Sequence, residues 1–567
     1  MTNYAQHLNP AHTPQSEPLD ARQVKNQAGG WVYAMSDMDR VRRFLILGSE
    51  GATYYASERK MVVENAQTVL RALTVDGPAV VRLATDMSVS GRAPKNDPAI
   101  FVLALAIRHG DDRTRAEAYA AVPQVCRIGT HLFTLMEYLK QLGKGESRGL
   151  RTVLQRWYLE KEPSALAWQA VKYQQRNGWS HRDVLRMAHP KHRELEGNAI
   201  LHWVVKGWPD VENDPPERAG LRTIWAVERA RRATAESEIV HLIETYRLPF
   251  EAIPTEWLKA AAVWSALIPH LGYTGLVRNL ARMTANGTLA PLSGNVSKVV
   301  ERLRDAEALR KGRVHPIQIL SALKTYEQGK GERGSLTWTP VAAIVDVLND
   351  VFYHVMDQVE PVGGPGAPGR FAAEGPEAGH RSCGGARDGA ASSQRWFLGL
   401  DISGSMWSGT IAGVPGLTPA VATAAMAMVT MRQEPSVYCM AFTGTPVEVK
   451  LSARQRLDDV LKETQALSHQ MGRTDCAVPM RYALTHHIPV DVFCIYTDNE
   501  TCAGPIHPME ALRQYRRVTG IPARLMVVGM TATGFTIADP LDGGALDVVG
   551  FDSAAPTLMA NFARGTV

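Results

Sequence analysis

Between about Asp37 and Val359, apolar residues return at helical spacing in segment after segment. In KMVVENAQTVLRAL (60–73), Val62, Ala66, Val69, Leu70 and Leu73 stand at i, i+4, i+7, i+8 and i+11, which predicts one buried helical face. Comparable faces are predicted at 98–110, 130–142, 238–248 and 317–329, each closed by Gly, Pro or a short polar turn. Strand-like alternation is rare. So many short helices are expected to stack as an all-α helical-repeat array rather than a bundle, each burying its face against the next. No clean period emerges, so the repeats are expected to be irregular. Such an array curves and offers a long concave surface that suits an extended partner.

The pattern breaks at Pro361. Residues 361–393 trade apolar periodicity for Gly, Ala, Pro and Ser, and read as a flexible linker or surface insertion. Beyond it, RWFLGLDIS (395–403), VYCMAFTG (437–444), DVFCIYTDN (491–499) and ARLMVVGM (523–530) are apolar runs with little alternation, as strands covered on both faces should be. Helical stretches at 417–432, 453–468 and 507–518 separate them, predicting a doubly wound, mostly parallel α/β domain. The expected division is a loosely ordered leader (1–30), a helical array (31–360), the linker (361–393) and the α/β domain (394–567).

Composition narrows the class. The chain is 45% hydrophobic and 21% charged, as a globular protein is, and no uncharged apolar run reaches membrane-spanning length. The polar, Pro-containing start has no apolar stretch behind a basic one, so no secretory signal is read and a cytoplasmic location is expected. The six cysteines show no CxxC spacing, which argues against a zinc site or a disulfide framework. The net charge of +5 is uneven: residues 395–567 carry 13 Lys and Arg against 15 Asp and Glu, while the preceding chain carries 49 against 42. The place to look for a polyanion partner is therefore the helical part.

In a doubly wound sheet, ligands bind beyond the carboxyl ends of the strands. There the first strand ends in Asp401-Ile402-Ser403-Gly404-Ser405, whose alternate residues present oxygen ligands from one side of a loop. A later strand ends in Thr497-Asp498, and Thr474 stands in the loop MGRTDCAVP. Asp401, Ser403, Ser405, Thr474 and Asp498 make an all-oxygen set suited to Mg²⁺, with a position left for a partner's acidic oxygen. A bland turn rich in turn-forming residues is the competing account of DISGS by itself. Ser403 or Ser405 as a nucleophile lacks both a GxSxG elbow and an orienting histidine. Walker A, HExxH and dinucleotide motifs are also missing, so no seat for catalysis is read in the sequence.

Residues 169–193 (QAVKYQQRNGWSHRDVLRMAHPKHR) gather Lys172, Arg176, His181, Arg182, Arg186, His189, Lys191, His192 and Arg193 around Tyr173 and Trp179. Lys172 and Arg176 are expected on one helical face, with Asn177-Gly178 ending that helix and Ser180 with Asp183 boxing the start of the next. Cations beside aromatics suit RNA, and a solvated helix-turn-helix face is the equal alternative. The helices at 277–287 and 299–316 carry further cations that are expected on the same concave surface.

Taken together, the strings DMDRVRRFLILGSEGATYY (37–55), VCRIGTHLF (125–133), KYQQRNGWSHRDVLR (172–186), RNLARMTAN (278–286), RVHPIQILSALKTY (313–326), LDISGSM (400–406), TDNET (497–501) and GMTATGFTIADP (529–540) closely resemble the Ro autoantigen proteins, a TROVE domain followed by a von Willebrand A domain. The resemblance covers roughly residues 30–360 and 394–567. It implies a monomeric HEAT-like ring closed by the A domain, whose positive hole admits single-stranded 3′ ends of misfolded RNA. It also implies Y-like noncoding RNA on the outer surface, with Lys172, Arg176 and His189 matching residues that bind it. Polynucleotide phosphorylase or another exoribonuclease is an implied partner. The chain departs from the family in the 361–393 insertion and at Gly472-Arg473, where two glycines are usual and Arg473 is expected to crowd or repel the cation.

Overall fold

The computed structural model describes residues 12–49, 58–143, 145, 147–208, 215–331, 336–357, 394–411, 416–470 and 472–566. The expected linker at 361–393 lies outside them. The four helical faces named above are borne out as Asp97–His109, Gly129–Gln141, Glu236–Tyr246 and Pro316–Glu327. Side-chain caps fix several starts: Ser36 accepts from the Asp39 amide, Asp111 from Thr114 and Ser147 from Leu150. In the long helix Glu58–Ser90 the buried stripe is rotated from the expected one. Met61 is buried and Val62 is exposed, and Asp76 kinks the helix ahead of Pro78.

The array returns on itself. His315 Nε2 lies 3.1 Å from the Arg92 carbonyl and Gln318 donates to the Pro94 carbonyl at 3.1 Å, so a late helix of the array meets the turn that follows Glu58–Ser90 near its start. Arg92 then forks onto Asp552 of the α/β domain. The ends of the helical region are thus joined to each other and to the second domain.

That domain carries a six-stranded sheet ordered β11-β9-β8-β5-β6-β7, comprising β5 (Trp396–Asp401), β6 (Val437–Phe442), β7 (Pro446–Val447), β8 (Val492–Thr497), β9 (Arg524–Gly529) and β11 (Ala545–Val549). All pairings are parallel except β6 with β7. Every residue of β5 and β8 is buried, which accounts for their unbroken apolar sequence. One face of the sheet (Leu398, Leu400, Cys494) shares a continuous core with the helical array, and Pro419–Gln433 is buried between them. The other face (Phe397, Met440, Phe493) packs under Val478–Thr485 and Pro508–Thr519.

The expectation of a loosely ordered leader over residues 1–30 needs correction for 12–30. Strand β1 (Gln23–Lys25) pairs antiparallel with β2 (Trp31–Ala34), and β2 pairs with β10 (Phe535–Thr536) of the α/β domain. Val32 and Tyr33 enter the second core, and Gln15 is fully buried. The segment is held by a partner some 500 residues away, which local composition does not reveal.

Immediately after β2, the first helix of the array (Asp37–Leu47) sends Arg43 into the same region. Its guanidinium is 1% exposed and donates to the carbonyls of Thr533 and Phe535, both at 3.1 Å, and to Asp547 Oδ2 at 2.5 Å. Arg43→Met is expected to cost about 3–5 kcal/mol, because Asp547 and two carbonyls lose their donor. A lowered thermal midpoint with early loss of sheet signal in circular dichroism is the expected readout; an unchanged midpoint would refute the role.

Candidate metal centre and nucleic-acid interface

The chain runs from β5 outward to β6 on one side and later to β8 and β9 on the other. The β5–β8 boundary is therefore the topological switch point, where the strand ends leave a crevice. Register places Leu400 beside Tyr496, so the chain leaves the sheet with Asp401 beside Thr497 and Asp498 one residue further on. The structure brings together the five expected ligand residues, all of them buried. Asp401 Oδ1 accepts from the Ser403 amide at 2.9 Å and Oδ2 from the Thr497 hydroxyl at 2.7 Å. The Ser403 and Ser405 hydroxyls are 3.3 Å apart, and Ser405 beside Asp498 works against the rise that burial gives that carboxyl. Gly404 N–H donates to the Gly472 carbonyl, and the Thr474 carbonyl accepts from the amides of Cys502 and Ala503, so three loops are bound side by side.

No cationic side chain among the described residues pairs with Asp401 or Asp498. Burial, together with the neighbouring Asp498, pushes the Asp401 carboxyl up to about 7. Burial also raises Asp498. Two buried carboxylates without a counter-charge, fringed by hydroxyls, fit a hard divalent cation that keeps part of its water shell. Among the described residues no three His, Cys, Asp or Glu side chains converge on a metal-sized site, so hydroxyls are needed to complete the set. Arg473 is exposed, with its guanidinium 3.5 Å from the Cys502 carbonyl.

Sequence reasoning passed over two further carboxylates here. Asp475, 1% exposed, accepts from Gln15 and Arg481, and burial raises it. Glu500, 2% exposed, accepts from the Ala28 amide; burial and then Asp498 push it up to about 8. Both stand one or two residues from an expected ligand, which was the available signal.

The basic stretch is built differently from the expected helix-turn-helix. The helix Pro163–Lys172 stops at Lys172, and Gln175–Arg176 (β3) pairs antiparallel with Trp179–Ser180 (β4). Asn177 (φ 53°) and Gly178 (φ 76°) are the two-residue turn between them. Asn-Gly favours a primed hairpin turn because both residues accept positive φ. Lys172 and Arg176 therefore do not share a helical face. Lys172 Nζ lies 5.7 Å from the Trp168 ring and 5.5 Å from the Tyr173 ring, and Arg176 reaches Asp97 only at 4.0 Å. The Ser180–Asp183 capping box forms as expected and starts His181–Ala188, which His189 closes in a left-handed conformation, exposed.

Two of the histidines leave the basic set. His181 is buried beside Tyr158 (2.8 Å), with burial holding it down to about 4. His192 is buried and accepts from the Glu194 amide. Of the further cations at 299–316, Arg302 is engaged within the fold, donating to the carbonyls of Ile268 and Leu271. Arg182, Arg186, Lys191 and Arg193 are exposed and form no ion pair among the described residues.

A closed helical array followed by an A-type α/β domain with an oxygen-rich switch point defines a two-domain class. Residues 24–325 match the TROVE domain and residues 395–563 match the Ro60 vWA domain. The chain is 40% identical to the RNA-binding protein RO60 of Deinococcus radiodurans over the whole of both chains. It is 32% identical to the RNA-binding protein RO60 of Caenorhabditis elegans, over 98% of this chain and 92% of that one. The crystal structure of the Deinococcus radiodurans RO (RSR) protein superposes with a TM-score of 0.65 at 38% identity, covering 94% of this chain and 100% of that one. The chain belongs to the Ro60 family.

The raised carboxyls make a pH prediction. Asp401 and Glu500 hold protons more tightly folded than unfolded, so the stability they lend is full below about 4 and is lost as pH rises through 7 to 8. With divalent ions chelated, the A domain is expected to melt earlier at pH 8 than at pH 5.5. Asp401→Asn should flatten that dependence in calorimetry. A midpoint that rises over the same range in the chelated wild type would contradict it.

Proposed function

We propose that this protein is a non-catalytic, cytoplasmic RNA-binding ring that acts as a monomer. Y-like noncoding RNA is held on its outer surface at Lys172, Arg176 and His189, and single-stranded 3′ ends of misfolded RNA enter its central hole. The observation that carries this reading is the run of exposed cations on and just beyond the helix that follows the β3–β4 hairpin, Arg182, Arg186, Lys191 and Arg193, which form no ion pair among the described residues. It stands in a chain 40% identical, end to end, to a relative named as an RNA-binding protein. Cations held close without counter-charges repel one another, and a polyanion relieves them while releasing its own counterions. The hairpin supports the reading further, because its rigid turn fixes Arg176 and Trp179 opposite each other across the two strands. Half-buried Tyr173 and Trp179 offer ring faces for unstacked bases. In this role the ring presents RNA for quality control, as an adaptor to an exoribonuclease of the polynucleotide phosphorylase kind.

The second domain takes Mg²⁺ through Asp401, Ser403, Ser405, Thr474 and Asp498 and offers the ion to an acidic oxygen of a protein partner. The pair of uncompensated buried carboxylates favours that reading. Chelation separates the two activities: protein capture is expected to need Mg²⁺, and RNA binding is expected to survive without it.

Lys172→Ala with Arg176→Ala is expected to weaken a Y-like RNA hairpin at least tenfold in a gel shift, as loss of two charge-assisted contacts should. The log–log salt slope should shrink by roughly 0.7–0.9 per contact removed. Unchanged affinity in a variant with an unaltered thermal midpoint rejects the assignment. Sequencing the RNA that copurifies with the full chain would name the ligand.

A further inference from the structure

We propose that residues 12–34 form a strap that positions the two ligand-bearing loops of the A domain, with Gln15 and Asn26 as the positioning residues. The proposal deepens the metal reading above and rests on it for its consequence, tighter binding of the ion.

Gln15 spends its whole amide on the two loops. Nε2 donates to Asp475 Oδ1 at 2.7 Å and to the Ile506 carbonyl at 2.8 Å, while Oε1 accepts from the Thr501 hydroxyl. That hydroxyl in turn accepts from the Cys476 amide at 3.1 Å. Asp475 directly follows Thr474, and Thr501 stands three residues after Asp498. One buried side chain therefore ties together the loops that bring those two expected ligands. The Asn26 amide donates to the carbonyls of Asn499 (3.2 Å) and Thr501 (2.7 Å), and the Ala28 amide donates to Glu500 Oε2 at 2.9 Å.

The fit leaves no slack. A Cβ on Gly30 would lie 1.9 Å from the Thr501 carbonyl oxygen, and one on Gly504 would lie 2.2 Å from Gln15 Nε2. A strap that only completed a sheet would need nothing beyond the pairing of β2 with β10. Here the buried amides pass that pairing by and end on the loops at the carboxyl edge. When both carboxyls are charged and no cation sits between them, Asp401 repels Asp498 and works to shift the loop that carries it. Donors from outside the sheet oppose that movement, so the site is held near its loaded shape before an ion arrives, which is what preorganisation requires.

The test uses the full chain with Gln15→Ala, and with Gln15→Met should the first fail to fold, since Met keeps the volume and removes the amide. Hydrogen exchange is followed at residues 474–476 and 499–503 in chelator, with Gly129–Gln141 as a reference helix in the ring. Mg²⁺ alone is titrated calorimetrically. Exchange in both loops is expected to quicken at least tenfold while the reference helix is unchanged, and the Mg²⁺ Kd should weaken at least tenfold. Unchanged loop exchange overturns the proposal, and so does faster exchange with an unaltered Kd, which would make the strap structural only. A wild-type chain that takes up no Mg²⁺ sinks the metal reading instead, and the exchange data alone then decide whether the strap holds the loops.

Discussion

The architecture hangs on a buried guanidinium. Arg43 stands on the first helix of the array, yet its donors end on Thr533, Phe535 and Asp547 of the α/β domain. A charge withdrawn from water costs several kcal/mol unless its donors are met, so this contact admits few alternative arrangements. Fixing the carbonyls of 533 and 535 also fixes β10, and β10 is the strand on which β2 and the rest of the strap align. The strap then reaches the loops at the carboxyl edge. A ring element, a sheet edge and the candidate metal loops are in this way oriented through one side chain, with Arg92–Asp552 and the His315–Arg92 contact closing the array nearby.

Much of this fold could be read in the sequence because the relevant forces are local. Strands β5, β8 and β9 are parallel and covered on both faces, so their apolar runs are unbroken. Strand β11 was passed over because it is the sheet's edge, with its first three residues only half-buried. The short helix Val478–Thr485 offers barely two turns of pattern. The Asn177-Gly178 pair shows how a local signal fits two devices: read alone it marks a helix terminus, whereas two consecutive positive φ values make it a hairpin turn. Lys172 lies at the end of its helix and Arg176 on the first strand of the hairpin, so the two stand on different elements.

The site divides along the same line. Asp401, Ser403 and Ser405 lie on one loop, and Asp498 follows a strand whose apolar run announces its end. These were legible from spacing and from the rule that ligands gather at the switch point. Gln15 was not, since a single glutamine in a polar segment carries no pattern and its partners lie about 460 and 490 residues away. His181 and His192 failed in the opposite sense: sequence put them among the cations, and burial makes them core residues. Composition counts charges, but only packing says which of them meet water.

The two halves also differ in how they treat charge. The helical part carries the positive excess and leaves Arg182, Arg186, Lys191 and Arg193 exposed without partners. The α/β domain buries Asp401, Asp475, Asp498 and Glu500 at one edge of its sheet. Contacts between the halves mostly follow the same polarity, with Arg22 donating to Asp539, Arg43 to Asp547, Arg92 to Asp552 and Lys324 to the Gly416 carbonyl. Arg456 to Asp346 runs the other way, at the periphery. A chain that spends some cations on joining its halves while leaving a separate cluster unpaired keeps that cluster available for an outside anion. Where Arg182, Arg186, Lys191 and Arg193 stand free, the described residues supply no counter-charge, and a nucleic acid backbone is the polyanion whose spacing and flexibility can follow them.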